Sequence, residues 1–174
     1  YELVVQGNVG LEAATINFTA AYGTGNKVGD KDIKEYVNLL DTDPHYTFLY
    51  EYKTITACVA PDGSTLSHTG FCNTMALSVG ASAALSKSVK VGLDYWYLQA
   101  AEKEGTPLAY ATNGAETSSD IGSEIDLTFN WKLYDNLTWN WTAGYFKPGD
   151  ALKTSSTAKT DAVMGIQGIL ALNF

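Results

Sequence analysis

No run of about eighteen apolar residues, the least that a membrane-crossing helix requires, occurs anywhere in the chain. The segment that begins at Tyr1 also lacks the basic stretch of a secretory signal, so no signal peptide is expected within it. Lys and Arg together number 11 against 19 Asp and Glu, which gives a net charge of −8. No cluster of cations is therefore available to neutralise a run of phosphates, and nucleic acid is excluded as a partner. Cysteine is scarce too: Cys58 and Cys72 are the only two. They bracket VAPDGSTLSHTGF, a segment rich in turn formers. An even count and close spacing favour a disulfide between Cys58 and Cys72, and with it an oxidising compartment. Two free thiols, or half of a shared metal site with His68, are the alternatives; one His and two Cys fall short of a structural zinc set.

What the chain has instead is 16 Gly, 11 Tyr and 4 Trp, with apolar residues alternating with Thr, Ser, Asn and Gly rather than recurring at helical spacing. That is a β composition. Alternating runs cover residues 11–22, 73–85, 89–100, 122–134, 137–147 and 162–174, with a weaker one at 1–8. Most are about ten residues or longer, above the five or six usual in soluble sheets and close to what a tilted membrane strand needs. In SEIDLTFNWKLY, Ile125, Leu127, Phe129, Trp131 and Leu133 share one face, and Glu124, Asp126, Thr128, Asn130 and Lys132 share the other. The two neighbouring runs repeat the scheme. One side is oily and the other is polar or charged.

Aromatics gather toward strand ends. Trp131, Tyr134, Trp139, Trp141 and Phe174 fall toward one rim, and Tyr22, Tyr95, Trp96, Tyr97, Tyr145 and Phe146 toward the other. Two such belts are expected where amphipathic rings sit at both membrane interfaces. The links SKS (86–88) and YDN (134–136) are minimal and GNVG (7–10) nearly so, whereas 101–121 and 148–161 are long and polar. Short turns at one end and long loops at the other are the asymmetry of outer-membrane barrels. The fold class expected is all-β: an antiparallel transmembrane β-barrel with seven or eight spanning strands in this chain.

Residues 23–72 decide between seven and eight. If TFLYEYKT were a wall strand, the alternation of short and long links would invert, so the preferred reading makes 23–72 one outside excursion. Part of it would fold over or into the barrel mouth as a gate, with Tyr46, Phe48, Tyr50 and Tyr52 packing on one side. The alternative makes 46–54 an ordinary wall strand. Seven strands with a descending first strand suggest the C-terminal part of a larger barrel, completed by its missing N-terminal part or by other subunits.

The segment GSEIDLTFNWKLYDNLTWNWTAGYFKPGDAL resembles the closing hairpin of porin-like outer-membrane proteins of Gram-negative bacteria, particularly the alginate-export-like porins. NLLDTDPHYTFLYEY resembles the long loop that precedes their last strands. Phe174, with Leu172 and Leu170 at alternating positions before it, is similar to the signal by which the barrel-assembly machinery recognises its clients. The resemblance implies integral residence in the outer membrane, contact with its lipid and with that machinery, and passage of ions or small hydrophilic solutes through a lumen. A small closed barrel acting as a surface-binding or anchoring protein is the alternative.

Within such a wall, Lys90, Asp94, Glu124, Asp126, Asn130, Lys132, Asn140 and Gln167 are the expected pore-lining residues. A charge on the lipid side would cost about 2–4 kcal/mol at mid-depth, which drives these side chains inward. Rings of charge tune ion selectivity; a network plugging a narrow lumen is the competing account. Asp30, Asp32, Asp41 and Asp43, with Glu35, form an acidic loop that resembles a weak cation site but lacks EF-hand spacing, so a solvated loop is expected and no metal or cofactor is assigned. His45 and His68 are isolated, with no group to orient a base, and no enzyme activity is expected.

Overall fold

The computed structural model describes residues 1–25, 31, 32, 34, 46–50, 58, 59, 65, 66, 71–103, 118–153 and 157–174. Its strands are β1 (Glu2–Gly10), β2 (Ala14–Gly23), β3 (Cys58–Val59), β4 (Thr65–Leu66), β5 (Thr74–Ala84), β6 (Val89–Ala100), β7 (Asp120–Tyr134), β8 (Leu137–Pro148) and β9 (Val163–Leu172). A short 3₁₀ turn, Asp150–Leu152, follows β8. Seven strands form one antiparallel meander in the order β1-β2-β5-β6-β7-β8-β9, and β3 and β4 form a separate pair. The chain is thus all-β, with a sheet of the kind that makes a barrel wall. β2 pairs with β5 along its length, so no strand stands between them.

The connections sort by end. Residues 11–13, 85–88 and 135–136 close the tight hairpins, and the long links 24–73, 101–119 and 149–162 all lie opposite. The tight ends are tied locally. Leu11 N–H donates to Ala14 C=O at 2.7 Å and Leu85 N–H to Val89 C=O at 2.9 Å, while Ser86 Oγ accepts from the amides of Ser88 and Val89. GNVG, expected as the first turn, is instead the second half of β1, and the turn falls at Leu11–Ala13. The reason is a cross-strand fit: Gly7 is opposite Phe18, and a Cβ on Gly7 would lie 2.2 Å from the Phe18 ring. The glycine makes room for an aromatic neighbour; it does not bend the chain.

Register carries the alternation across the whole sheet. Leu77, Leu93, Leu127 and Ile166 lie on one face and are between 50 and 69 % exposed. Ile16, Phe18, Val79, Tyr95, Ile125, Leu170 and Leu172 are exposed as well. A contiguous apolar face of this extent is not tolerated in water, but it suits a bilayer whose hydrocarbon it matches. Trp131 and Trp139 are register partners, and the Trp139 and Trp141 rings stand 5.3 Å apart, at the tight-turn half of this outer face. Two aromatics depart from the belts expected. Trp96 and Phe146 fall by parity on the opposite, concave face, where they are 7 % and 0 % exposed because residues 46–50 pack over them. Tyr46 lies 5.5 Å from Trp96, and Tyr50 lies 5.4 Å from Phe146.

Candidate functional site: the polar concave face

Cross-strand pairing sorts the concave face into rows. One row runs Asn8, Asn17, Gly80, Asp94, Asp126, Gly144, Gly165 from β1 to β9. The row toward the long loops is Gln6, Thr19, Ser78, Trp96, Glu124, Phe146, Val163, and the row toward the tight turns continues with Thr15, Ser82, Gly92, Thr128, Thr142 and Gln167. Lys90, Asn130 and Asn140 fall one row further down. The structure therefore gathers Lys90, Asp94, Glu124, Asp126, Asn130, Asn140 and Gln167 on one face of the sheet. Lys132 shares their register but is engaged at the turn, where its ammonium reaches Asp135 at 2.7 Å. That cation holds the Asp135 carboxyl below the usual carboxylate range.

Asp94 and Asp126 are direct cross-strand partners, an arrangement that repels. Their surroundings offset the repulsion differently. Asn17 Nδ2 donates to Asp94 Oδ1 at 2.7 Å, across the gap left by Gly80, where a Cβ would stand 1.9 Å from that oxygen. Glu124 and Asp126 are buried, at 0 % and 6 % exposure, and they are met by main chain. Phe48 N–H donates to Asp126 Oδ2 at 3.3 Å, Leu49 N–H to Glu124 Oε1 at 2.5 Å, and Tyr50 N–H to Glu124 Oε2 at 2.8 Å. Charge-assisted bonds of this kind are among the stronger ones available to a buried carboxylate.

Residues 46–50 therefore lie against the concave face, over the β7 to β9 side of the acidic row. Gly144 and Gly165 form the notch that admits them: a Cβ on Gly144 would lie 2.8 Å from Phe48 Cδ1, and one on Gly165 would lie 2.7 Å from Leu49 Cδ2. Tyr46 stacks on Phe71 at 4.2 Å. These contacts spread Tyr46, Phe48 and Tyr50 over different neighbours, and Tyr52 lies outside the described residues. The sequence reading missed Leu49, which is 4 % exposed, together with the two notch glycines. The signal available for them was a pair of small residues directly beside inward carboxylates on adjoining strands.

On the β1 to β6 side the concavity stays open as a cavity of about 710 Å³. It is bounded by Gln6, Asn17, Ser78, Asp94, Trp96, Asp126, Thr128 and Thr142 of the wall and by Tyr46, Thr47 and Phe48. Among the described residues no lysine lines it, and the chain contains no arginine.

Among the remaining expectations, Cys72 is buried and disulfide-bonded, and the side chain of Cys58 lies outside the described residues. Asp30, Asp41 and Asp43 lie outside them as well, and Asp32 is exposed. Among the described residues no group of acidic, His or Cys side chains is placed to hold a metal ion. Leu170 and Leu172 project from the outer face of β9, and Phe174 is fully exposed beyond it. Asn173 N–H ties this end to Asn136 C=O at 2.9 Å.

A meander of long strands, apolar outside and polar within, with tight turns at one end and long loops at the other, is the wall of an outer-membrane β-barrel. A family described as alginate export matches residues 60–165, and the chain belongs to it. It is an outer-membrane porin of the alginate-export type. No curated protein matches the chain.

Proposed function

We propose that this chain forms wall and constriction of an outer-membrane channel through which ions or small hydrophilic solutes pass passively, by a lumen rather than by chemistry. The observation that carries the reading is the seating of residues 46–50 on the polar face of the sheet. A segment held there by wall carboxylates narrows the passage and selects what enters, and carboxylates without facing arginines favour cations. β1 and β9 each have one neighbour among the described residues. A bare strand edge is not tolerated in hydrocarbon, so the rest of the barrel or other subunits complete the wall, with the barrel-assembly machinery inserting it through the Phe174 signal and outer-membrane lipid covering the apolar band.

Planar-bilayer recording of the reconstituted protein tests the reading. Stepwise conductance that rises when residues 46–70 are deleted, with the band still shifting between unheated and boiled gel samples, is the expected result. A stable barrel without conductance steps would point instead to a closed surface-binding or anchoring protein.

A further inference from the structure

We propose that Lys147, with Tyr97 and Ser123 beside it, docks the phosphate of a phosphorylated glycolipid in the membrane leaflet next to the long loops. That this leaflet is the external one rests on the reading of those loops as external; the affinity of the site rests only on which face of the wall meets lipid. Two observations converge on it. The first is a lone charge at a particular depth. Lys147 follows Phe146 in β8 and so falls on the outer face, where it is exposed. It is the only cation on that face among the described strand residues, since Lys90 and Lys132 take the concave parity. Lys147 stands ten residues beyond Leu137, which opens β8 at a tight turn. At about 3.4 Å per residue and the usual tilt of about 40°, that is a rise of about 25 Å, the height of the apolar band on such barrels. The rows below it agree with this depth: Tyr95, Ile125 and Tyr145 share the next row, and Leu93 and Leu127 the one beneath. The lysine stem can lie along the band while its ammonium reaches the headgroups.

The second observation is an excess of donors. Tyr97, Ser123 and Lys147 share one row across β6, β7 and β8. Gln99 Nε2 donates to the Tyr97 hydroxyl at 2.8 Å, which leaves the phenol proton free for an acceptor. The ammonium adds three N–H donors and a positive charge, and among the described residues no ion pair meets it: Lys132 and Lys153 hold Asp135 and Asp150, and Asp120 lies against Gly149. A phosphate monoester supplies what the row lacks, since it brings negative charge and three acceptor oxygens on one group. A zwitterionic headgroup fits less well, because its own ammonium is repelled by Lys147.

The test uses the refolded full chain in detergent micelles at constant ionic strength, titrated with lipid A and read by native mass spectrometry. Separate titrations use the same lipid stripped of its phosphates, phosphatidylglycerol and phosphatidylethanolamine. Saturable retention of lipid A that is lost on dephosphorylation is the expected result. Lys147→Gln is expected to weaken it about fivefold or more, the worth of one interfacial lysine toward an anionic lipid, and Tyr97→Phe by a smaller factor. Lys147→Arg should keep the affinity, and so should Lys87→Gln, the same charge change in an exposed tight turn at the opposite end; heat-shifted gel migration verifies that each variant is folded. No saturable retention, retention that survives dephosphorylation, equal retention of either phospholipid, or affinity lowered no more by Lys147→Gln than by Lys87→Gln would overturn the proposal. Conductance without lipid retention retires the docking site and leaves the channel reading; retention without conductance steps does the opposite.

Discussion

Replacing Glu124 tests how the wall holds residues 46–50. Two of the three amide bonds that anchor this segment end on its carboxylate, and a hydrogen bond to a charged group contributes roughly 1.5–3 kcal/mol. Glu124→Ala therefore removes about 3–6 kcal/mol of anchoring, whereas Glu124→Gln keeps one acceptor and turns a donor toward the other amide. At about 1.4 kcal/mol per factor of ten, the alanine variant should speed hydrogen exchange at the Leu49 and Tyr50 amides by about a hundredfold or more, up to the rate of the undocked segment. The glutamine variant should fall between. The wall should respond differently: Glu124 is 0 % exposed, and removing a buried charge also removes its desolvation cost. Exchange at the β7 and β8 ladder amides around Thr128 and Thr142 should then stay level or slow. Unchanged protection at Leu49 and Tyr50, or a loss spread evenly over ladder and segment, would refute the anchoring argument.

Gly144→Val should push Phe48 and Leu49 out of their notch, since even a Cβ there meets both within 3.0 Å; protease nicking within 46–50 should quicken while heat-shifted migration persists. Leu127→Lys, on the exposed outer face, should cost about 2–4 kcal/mol in a folding titration in lipid, and Thr142→Lys on the concave face should cost little. Asp135 should titrate below an ordinary carboxylate because of Lys132, so the pair's contribution holds above the unfolded carboxyl's pKa and fades as pH falls through the lowered folded value; carbon-detected NMR of Lys132→Gln should return Asp135 to the ordinary range. Removing Phe174 should lower the amount of chain assembled in cells while leaving refolding in detergent intact, as read by gel migration.

Strand alternation made most of the wall legible in advance, because a period of two reports both faces at once and membrane strands are long enough to repeat it. β6 falls on the run read at 89–100, and β7, β8 and β9 differ from theirs by one or two residues at one or both ends. The first hairpin was misplaced for a physical reason. Glycine in GNVG has two explanations, a turn or a gap for a neighbour, and only the pairing of Gly7 with Phe18 distinguishes them. Trp96 and Phe146 were assigned to the lipid belts on their closeness to strand ends, although parity already placed Trp96 with Asp94 and Lys90. Position along the strand misled where the face was informative.

The anchoring of residues 46–50 was beyond reach for a different reason, since its donors are main-chain amides, which every residue but proline possesses. What the sequence does show is where acids sit relative to glycines. A wall needing only polarity is served by the row of Thr15, Ser82, Thr128, Thr142 and Gln167, whose side chains are neutral. One row further on stand Asp94 and Asp126, with Gly80, Gly144 and Gly165 as their row partners, and Glu124 lies just above. Buried carboxylates are costly without donors. They are tolerable here because the glycines admit Asn17 on one side and the backbone of residues 48–50 on the other. Wall and inward segment are therefore specified together: the acids without the segment would leave buried charge unmet, and the segment without the acids would lose the carboxylates that its three amides meet.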